Sequence, residues 1–313
     1  MGPPEGATRV AVIDLGTNST RLLVADIAGG QVTEVQRRST VTQLGRGVDT
    51  SGQLAAEAIG DVCDVVAEYV ALYGEAGTER VAAIATSAVR DASNGSAFIA
   101  ELRERFALDA RTLDGEEEAR LTYLGAVADR RPPDHTLVVD IGGGSTELVV
   151  GSGERVDFHA SLQAGVVRHT ERHLGTDPPN PADLENLAAD VRSQIEAALE
   201  GQDVPAVSEG IAVAGTPTSL AAMDLELDPY DPKLVHGHRI GLPAVQTMLS
   251  RLASLPLEER LALPGLQAGR APTIVAGVVI LAEAMRAFGL EEIEVSEHDI
   301  LYGVALNEAL AAA

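Results

Sequence analysis

Two eleven-residue segments of the chain repeat one another, and this duplication restricts the possible folds more tightly than any other feature. Asp14–Val24 reads D-L-G-T-N-S-T-R-L-L-V and Asp140–Val150 reads D-I-G-G-G-S-T-E-L-V-V, with six of eleven positions identical and starts 126 residues apart. In each copy an apolar run ends on Asp, a tight turn of small polar residues follows, and a second apolar run leaves it. That is the pattern of two antiparallel strands joined by a short turn. Two such units, each opening its own segment of alternating strand and helix patterns, predict a duplicated α/β fold. One position differs in charge: Arg21 in the first copy corresponds to Glu147 in the second.

The rest of the chain fits this division. Strands are expected at Arg9–Leu15, Thr20–Ile27, near Gln31–Arg37 and at Val81–Ala85, with helical spacing over Leu54–Tyr73, Ser96–Phe106 and Glu116–Ala128. Arg130–Asp134 (R-R-P-P-D) reads as a loop or linker. Beyond it come strands at Leu137–Ile141, Thr146–Val150, Arg155–Ala160, Ile211–Ala214 and Ile293–Ser296. Helices are expected at Val166–His173, Pro181–Leu199, from Pro217, and at Pro243–Leu252, Pro272–Phe288 and Ile300–Leu310. The domain division expected is 1–128 and 129–299, with the last helix, about 300–313, packing back on the first domain.

Composition removes several classes of function. The chain has 313 residues, 45% hydrophobic and 22% charged, enough for sizeable cores in about two domains. Acidic residues number 47 against 23 basic ones, of which only Lys233 is a lysine, and the net charge is −24. A surface that coats nucleic acid or anionic membrane needs a basic footprint, so neither is an expected partner. Cys63 is the single cysteine, inside an amphipathic run, and reads as a small core residue; disulfides and cysteine-based zinc clusters are excluded. The first residues lack a signal-peptide pattern and no apolar run reaches membrane-spanning length, so the expected location is cytoplasmic.

The repeated turns point to phosphate. Gly, Ser, Thr and Asn in a tight turn expose backbone N–H groups that can converge on phosphate oxygens, and small side chains permit close approach. An Asp at the end of the preceding strand can hold a hydrated Mg²⁺ through one carboxylate oxygen. A plain hairpin whose Asp caps its own backbone uses the same residue types. The second copy, 126 residues on, favours the phosphate reading.

The pattern resembles the acetate kinase/Hsp70/actin class, α/β proteins with two actin-like (ribonuclease H-like) domains, whose hairpins grip phosphates in an interdomain cleft. Further motifs narrow it: Asp14–Arg21, Thr86–Asn94 (T-S-A-V-R-D-A-S-N), Gly115–Gly125 (G-E-E-E-A-R-L-T-Y-L-G), Val139–Glu147, Ala214–Ala221 (A-G-T-P-T-S-L-A), Tyr230–Gly237 and Arg270–Leu281. In this order, over essentially the whole chain, they look like the exopolyphosphatase/guanosine pentaphosphate phosphohydrolase family. Ending at Ala313, the chain looks like the short form without the C-terminal helical extension, which implies a preference for shorter polyphosphate.

The resemblance implies hydrolysis of the terminal phosphoanhydride of inorganic polyphosphate with Mg²⁺ or Mn²⁺ as cofactor, and a homodimer. It makes Glu118, just before Ala119-Arg120, the catalytic carboxylate; a charge favourable to a helix N-terminus is the plainer account of Glu116. Asp140 and Glu147 are expected to hold the metal or its water shell and to take part in catalysis, with Asp14 as the symmetry-related carboxylate. Arg21, Arg90 and Arg270 are expected to neutralise phosphate oxygens, which suit the guanidinium fork. Thr17, Asn18, Ser19, Gly143, Gly144, Ser145 and Thr146 line the turns, and Gly215 and Thr216 open a helix that can present N–H groups to another phosphate.

Other features stay secondary. Lys233 is a candidate for a distal phosphate, and His236 and His238 flank Gly237 in a loop suited to substrate contact or local structure. His169 and His173, four apart on an expected helix, read as surface histidines. Ser296–Gly303 (S-E-H-D-I-L-Y-G) lacks the Arg that the family often carries there. Guanosine pentaphosphate is the alternative substrate, and aromatic residues to stack its base are few, at 3%. A kinase of the same fold and a non-catalytic polyphosphate or alarmone sensor are the more distant readings.

Overall fold

The computed structural model describes residues 2–130 and 135–310. The chain divides into two compact units, the first of residues up to 130 together with those from 300 onward, the second of the residues between. In chain order unit 1 contains β1 (Thr8–Leu15), β2 (Ser19–Ala28), β3 (Gln31–Val41), α1 (Val48–Ser51), α2 (Ala56–Glu75), β4 (Arg80–Ala85), α3 (Ser87–Asp91), α4 (Gly95–Phe106), β5 (Ala110–Thr112) and α5 (Gly115–Ala126). Unit 2 contains β6 (Thr136–Ile141), β7 (Thr146–Ser152), β8 (Arg155–Leu162), α6 (Val166–His173), α7 (Pro181–Leu199), β9 (Glu209–Val213), α8 (Gly215–Asp224) and α9 (Pro232–Val235). It continues with β10 (Arg239–Gly241), α10 (Leu242–Ser254), α11 (Leu257–Arg260), α12 (Ile274–Ala287) and β11 (Glu292–Val295), after which α13 (Ile300–Leu310) belongs to unit 1.

The duplication seen in sequence is a duplication of topology. The unit 1 sheet runs β3-β2-β1-β4-β5, and the unit 2 sheet contains the same order as β8-β7-β6-β9-β11, extended by β10 at the edge. In each, the first three strands form an antiparallel meander, and the next two align parallel to the first. This is the mixed-sheet α/β arrangement of the actin-like, ribonuclease H-like folds.

Period-2 alternation explains why β1 is buried throughout. Ala11, Ile13 and Leu15 face a core completed by α2 and α4, with Val62, Val66, Phe98 and Leu102, while Val10 and Val12 face a second core with Leu121 of α5 and Leu301 and Val304 of α13. α13 is buried on all sides over Ile300–Leu306, as an apolar helix without a polar face must be. Gly303 makes its docking possible: a Cβ there would lie 1.8 Å from the Leu121 carbonyl oxygen of α5. Unit 2 has its own core around Leu137, Val139, Leu148, Val191, Leu220 and α12, which is buried from Ile274 to Met285.

Several elements differ from expectation. β3 extends to Val41, paired along its length with β2. The three-residue strands β5 and β10 and the short helices α1, α3, α9 and α11 were too brief to leave a periodic signal. Apart from Arg130, the loop expected over Arg130–Asp134 lies outside the described residues. Cys63 is buried in the unit 1 core. Among the described residues no helix is long and apolar enough to cross a membrane.

The contact at Gly303 makes a stability prediction. Gly303→Ala is expected to destabilise the protein by about 1–3 kcal/mol through overpacking. Gly60→Ala, in α2 where a Cβ would meet nothing within 4 Å, is expected to stabilise by about 0.5–1 kcal/mol. Urea midpoints check both, and a Gly303→Ala midpoint equal to the parent's would show that α13 is not closely held.

Candidate active site

Both hairpin turns close in the same way. Gly16 N–H donates to the Ser19 carbonyl at 3.1 Å, and Gly142 N–H to the Ser145 carbonyl at 3.0 Å. The register on either side then fixes which side chains face each other across the strands: Asp14 stands opposite Arg21, and Asp140 opposite Glu147. Directly opposed residues lie on one face of the sheet. The charge difference between the repeats therefore becomes a structural difference, an ion pair in one unit and two carboxylates in the other.

In unit 1, Arg21 Nε and Nη2 donate to Asp14 Oδ2 at 2.8 and 2.6 Å, with Asp14 almost fully buried. The β1–β2 turn is pinned from two sides. Thr17 Oγ1 shares a 2.9 Å hydrogen bond with Ser87 Oγ and accepts from Ala88 N–H at 3.2 Å, so α3 fixes the Thr17 side chain. The Asn18 carbonyl accepts from Thr42 and Gln43 N–H, and the Thr17 carbonyl from Gly45 N–H. By contrast, Asn18 Nδ2 and Ser19 Oγ are buried without a hydrogen-bond partner. Buried polar atoms are seldom left unsatisfied, so two in one turn mark a place where a ligand can complete the bonding.

Glu118 belongs to the same unit. Asp114 caps α5 by accepting from Glu117 N–H at 2.8 Å, which puts Glu118 in the first helical turn with only 6% exposure. Arg90 Nη1 donates to Glu118 Oε2 at 2.8 Å and to the Leu113 carbonyl at 2.9 Å. Burial pushes the Glu118 carboxyl up to about 7; the Arg90 guanidinium opposes this, and the negative charge of Asp14 adds to it. A carboxyl balanced near neutrality exchanges a proton readily at physiological pH, as a general base or acid requires.

In unit 2, Asp140 and Glu147 are 8% and 1% exposed, and Ser161 Oγ donates to Glu147 Oε1 at 2.9 Å. Two buried, opposed carboxylates make an all-oxygen donor set, which fits a hard divalent cation such as Mg²⁺ or Mn²⁺. The glycine-rich turn carries the first turn of α6: Val166 N–H donates to the Gly142 carbonyl, Val167 N–H to the Gly143 carbonyl at 2.8 Å, and Arg168 Nε to the Gly144 carbonyl at 2.8 Å. Thr146 Oγ1 donates to the Ala164 carbonyl. Ser145 is buried beside it.

Gly215 and Arg270 come together. A Cβ at Gly215 would lie 2.2 Å from Arg270 Nη1, so the guanidinium packs flat on the start of α8. Thr216 is buried against Gly277 of α12, where a Cβ would meet its Oγ1 at 2.2 Å. Lys233 is exposed on α9. His238 Nε2 pairs with Asp224 Oδ2 at 2.8 Å, whereas His236 stacks on His298 with centroids 4.3 Å apart. His169 of α6 departs from the surface expectation: it is fully buried, with Nε2 3.5 Å from Asp190 Oδ2 of α7.

Two glycines that shape the turns escaped sequence reasoning. A Cβ at Gly45 would lie 2.2 Å from Thr17 Cγ2, and one at Gly165 would lie 2.3 Å from the Gly143 oxygen. Each follows the third strand of its meander in a Gln-x-Gly triplet, Gln43-Leu44-Gly45 and Gln163-Ala164-Gly165. That third member of the repeat was the available signal. Gly165→Ala is expected to push α6 off the turn and to accelerate amide hydrogen exchange at Val167. Unchanged protection of that amide would contradict the close approach.

The Ppx/GppA phosphatase family model matches residues 8–311. Exopolyphosphatase 2 of Mycobacterium tuberculosis is 36% identical over 96% of this chain and 99% of its own length. Exopolyphosphatase 1 of Mycobacterium bovis is 30% identical over 96% of this chain and 88% of its own. Among solved structures, the Aquifex aeolicus member of the Ppx/GppA family is 31% identical with a TM-score of 0.84, covering 98% of this chain and 99% of that one. An exopolyphosphatase from Cytophaga hutchinsonii is 25% identical with a TM-score of 0.89, covering 97% and 98%. With strand order, turn chemistry and family model in agreement, the chain belongs to the Ppx/GppA phosphatase family.

Proposed function

We propose that the protein is an exopolyphosphatase, hydrolysing the terminal phosphoanhydride of inorganic polyphosphate to release orthophosphate. The observation that carries this reading is Glu118, a buried carboxyl on a helix N-terminus, held by Arg90 and raised to about 7. The homologues named exopolyphosphatase support the substrate class.

In this proposal a water oxygen attacks the terminal phosphorus, the bond from that phosphorus to the bridging oxygen breaks, and the shortened chain leaves with the bridging oxygen. Such a transition state gains from positioning and charge neutralisation more than from covalent help. Glu118 orients the water and accepts its proton, and Arg90 fixes the carboxylate orientation. In unit 1, Asn18 Nδ2, Ser19 Oγ and the turn amides donate to phosphate oxygens; in unit 2, the turn amides, including those of Gly143, Gly144, Ser145 and Thr146, present donors of the same kind. Arg21, oriented by Asp14, supplies positive charge, and Arg270 does so beside Gly215 and Thr216. Asp140 and Glu147 of unit 2 would hold a divalent cation whose charge offsets that of the phosphates.

Two measurements test the reading. With Mg²⁺ and polyphosphate, Glu118→Gln is expected to lower kcat by about 100- to 10,000-fold while binding persists, the range general-base catalysis supplies. Full activity in that variant would remove Glu118 from the mechanism, and release of phosphate only from guanosine pentaphosphate would reassign the substrate. The second is a pH profile. The base works ionised, so kcat/KM is expected to fall as pH drops through about 7 and to level off above it. Because Arg90 favours the ionised form, Arg90→Gln is expected to shift that limb to higher pH.

A further inference from the structure

Away from the residues assigned to phosphate, unit 2 contains a cluster with the composition of a transition-metal centre. His169 and His173 are one turn apart on α6, and Asp190 lies on α7. Helical spacing of four places both imidazoles on one face. Asp190 Oδ2 is 2.8 Å from His173 Nε2 and 3.5 Å from His169 Nε2. One ligand atom from each of the three residues falls within 4.8 Å of the others, and the rings stand 5.3 Å apart, tilted by 47°. His169 is 0% exposed, yet neither of its ring nitrogens makes a hydrogen bond. A buried imidazole in that state lacks the compensation that buried polar groups normally find.

We propose that His169 Nε2, His173 Nε2 and Asp190 Oδ2 bind a divalent transition-metal ion of the zinc class, with water completing the shell. Tetrahedral coordination at zinc–nitrogen distances of about 2.0–2.1 Å sets donor atoms roughly 3.3 Å apart, and the observed separations of 2.8 and 3.5 Å bracket that spacing. Two imidazoles select against Mg²⁺, which prefers an all-oxygen shell, so this site is chemically distinct from the one proposed at Asp140 and Glu147. Gln194 Nε2 donates to Asp190 Oδ1 at 2.9 Å, leaving Oδ2 as the inward oxygen. Arg172, whose Nη1 lies 3.5 Å from Asp190 Oδ2, is 38% exposed in its side chain and can yield to the ion by turning into solvent.

The ion would tie α6 to α7. Because the first amides of α6 and the Arg168 guanidinium bind the carbonyls of Gly142, Gly143 and Gly144, the site braces the glycine-rich turn from behind. The inference stands apart from the phosphatase reading, since binding of the ion is measured without substrate.

The test uses untagged full-length protein, stripped with chelator and titrated with Zn²⁺ against a competing chromophoric chelator. One equivalent is expected to bind in the presence of excess Mg²⁺ and to raise Tm. Gln194→Ala, which removes only an outer hydrogen bond, is expected to weaken affinity about 10- to 100-fold. His173→Ala and Asp190→Asn are expected to weaken it further and to lose the Zn²⁺-dependent rise in Tm, with metal-free circular dichroism like the parent's. Uptake of less than one equivalent by the parent, or equal affinity in the parent and all three variants, overturns the proposal.

Discussion

The antiparallel register between the first two strands of each unit is the constraint on which the rest depends. One backbone hydrogen bond, from the glycine two residues after the aspartate to the serine carbonyl three residues on, closes each turn and sets that register. A slip of one residue would part Asp14 from Arg21, and Asp140 from Glu147, onto opposite faces of their sheets. It would also exchange the two sets of apolar residues on β1, which are committed to different cores. Core and site thus enforce the same alignment, and neither can change alone.

Most of this was present in the sequence because it is local. The Asp-x-Gly turns, the apolar runs that flank them and the resemblance they carry lie within eleven consecutive residues, and period-2 burial follows from them. Contacts between distant segments were not visible in the same way. Arg90 and Glu118 are 28 residues apart and meet only because α3 and α5 follow the neighbouring parallel strands β4 and β5. Sequence reasoning placed both at phosphate chemistry without foreseeing that one holds the other. The histidines of α6 illustrate the opposite failure. Their run, V-V-R-H-T-E-R-H, is polar enough to read as solvent-facing, yet His169 is completely buried. Burial set by a helix packed from elsewhere leaves no mark on local periodicity.

A chain with a net charge of −24 that acts on a polyanion must concentrate its positive potential. Arg21 and Arg90 are not loose surface charges: each is anchored by a carboxylate at 2.6–2.8 Å. Anchoring lowers their net charge but fixes their geometry, which favours selectivity over long-range attraction. Uncharged donors are also held ready in the same turn, where Asn18 Nδ2 and Ser19 Oγ are buried without a hydrogen-bond partner.

The return of α13 to unit 1 bears on how the molecule is made. Unit 1 is assembled from two stretches of chain with all of unit 2 between them. The core facing Val10, Val12 and Leu121 has no cover until Ile300–Leu306 is in place. During synthesis from the N-terminus, unit 2 is complete before unit 1 is, although unit 1 begins first. Through that interval one face of the first sheet remains apolar and uncovered, a substrate for chaperones rather than a finished domain.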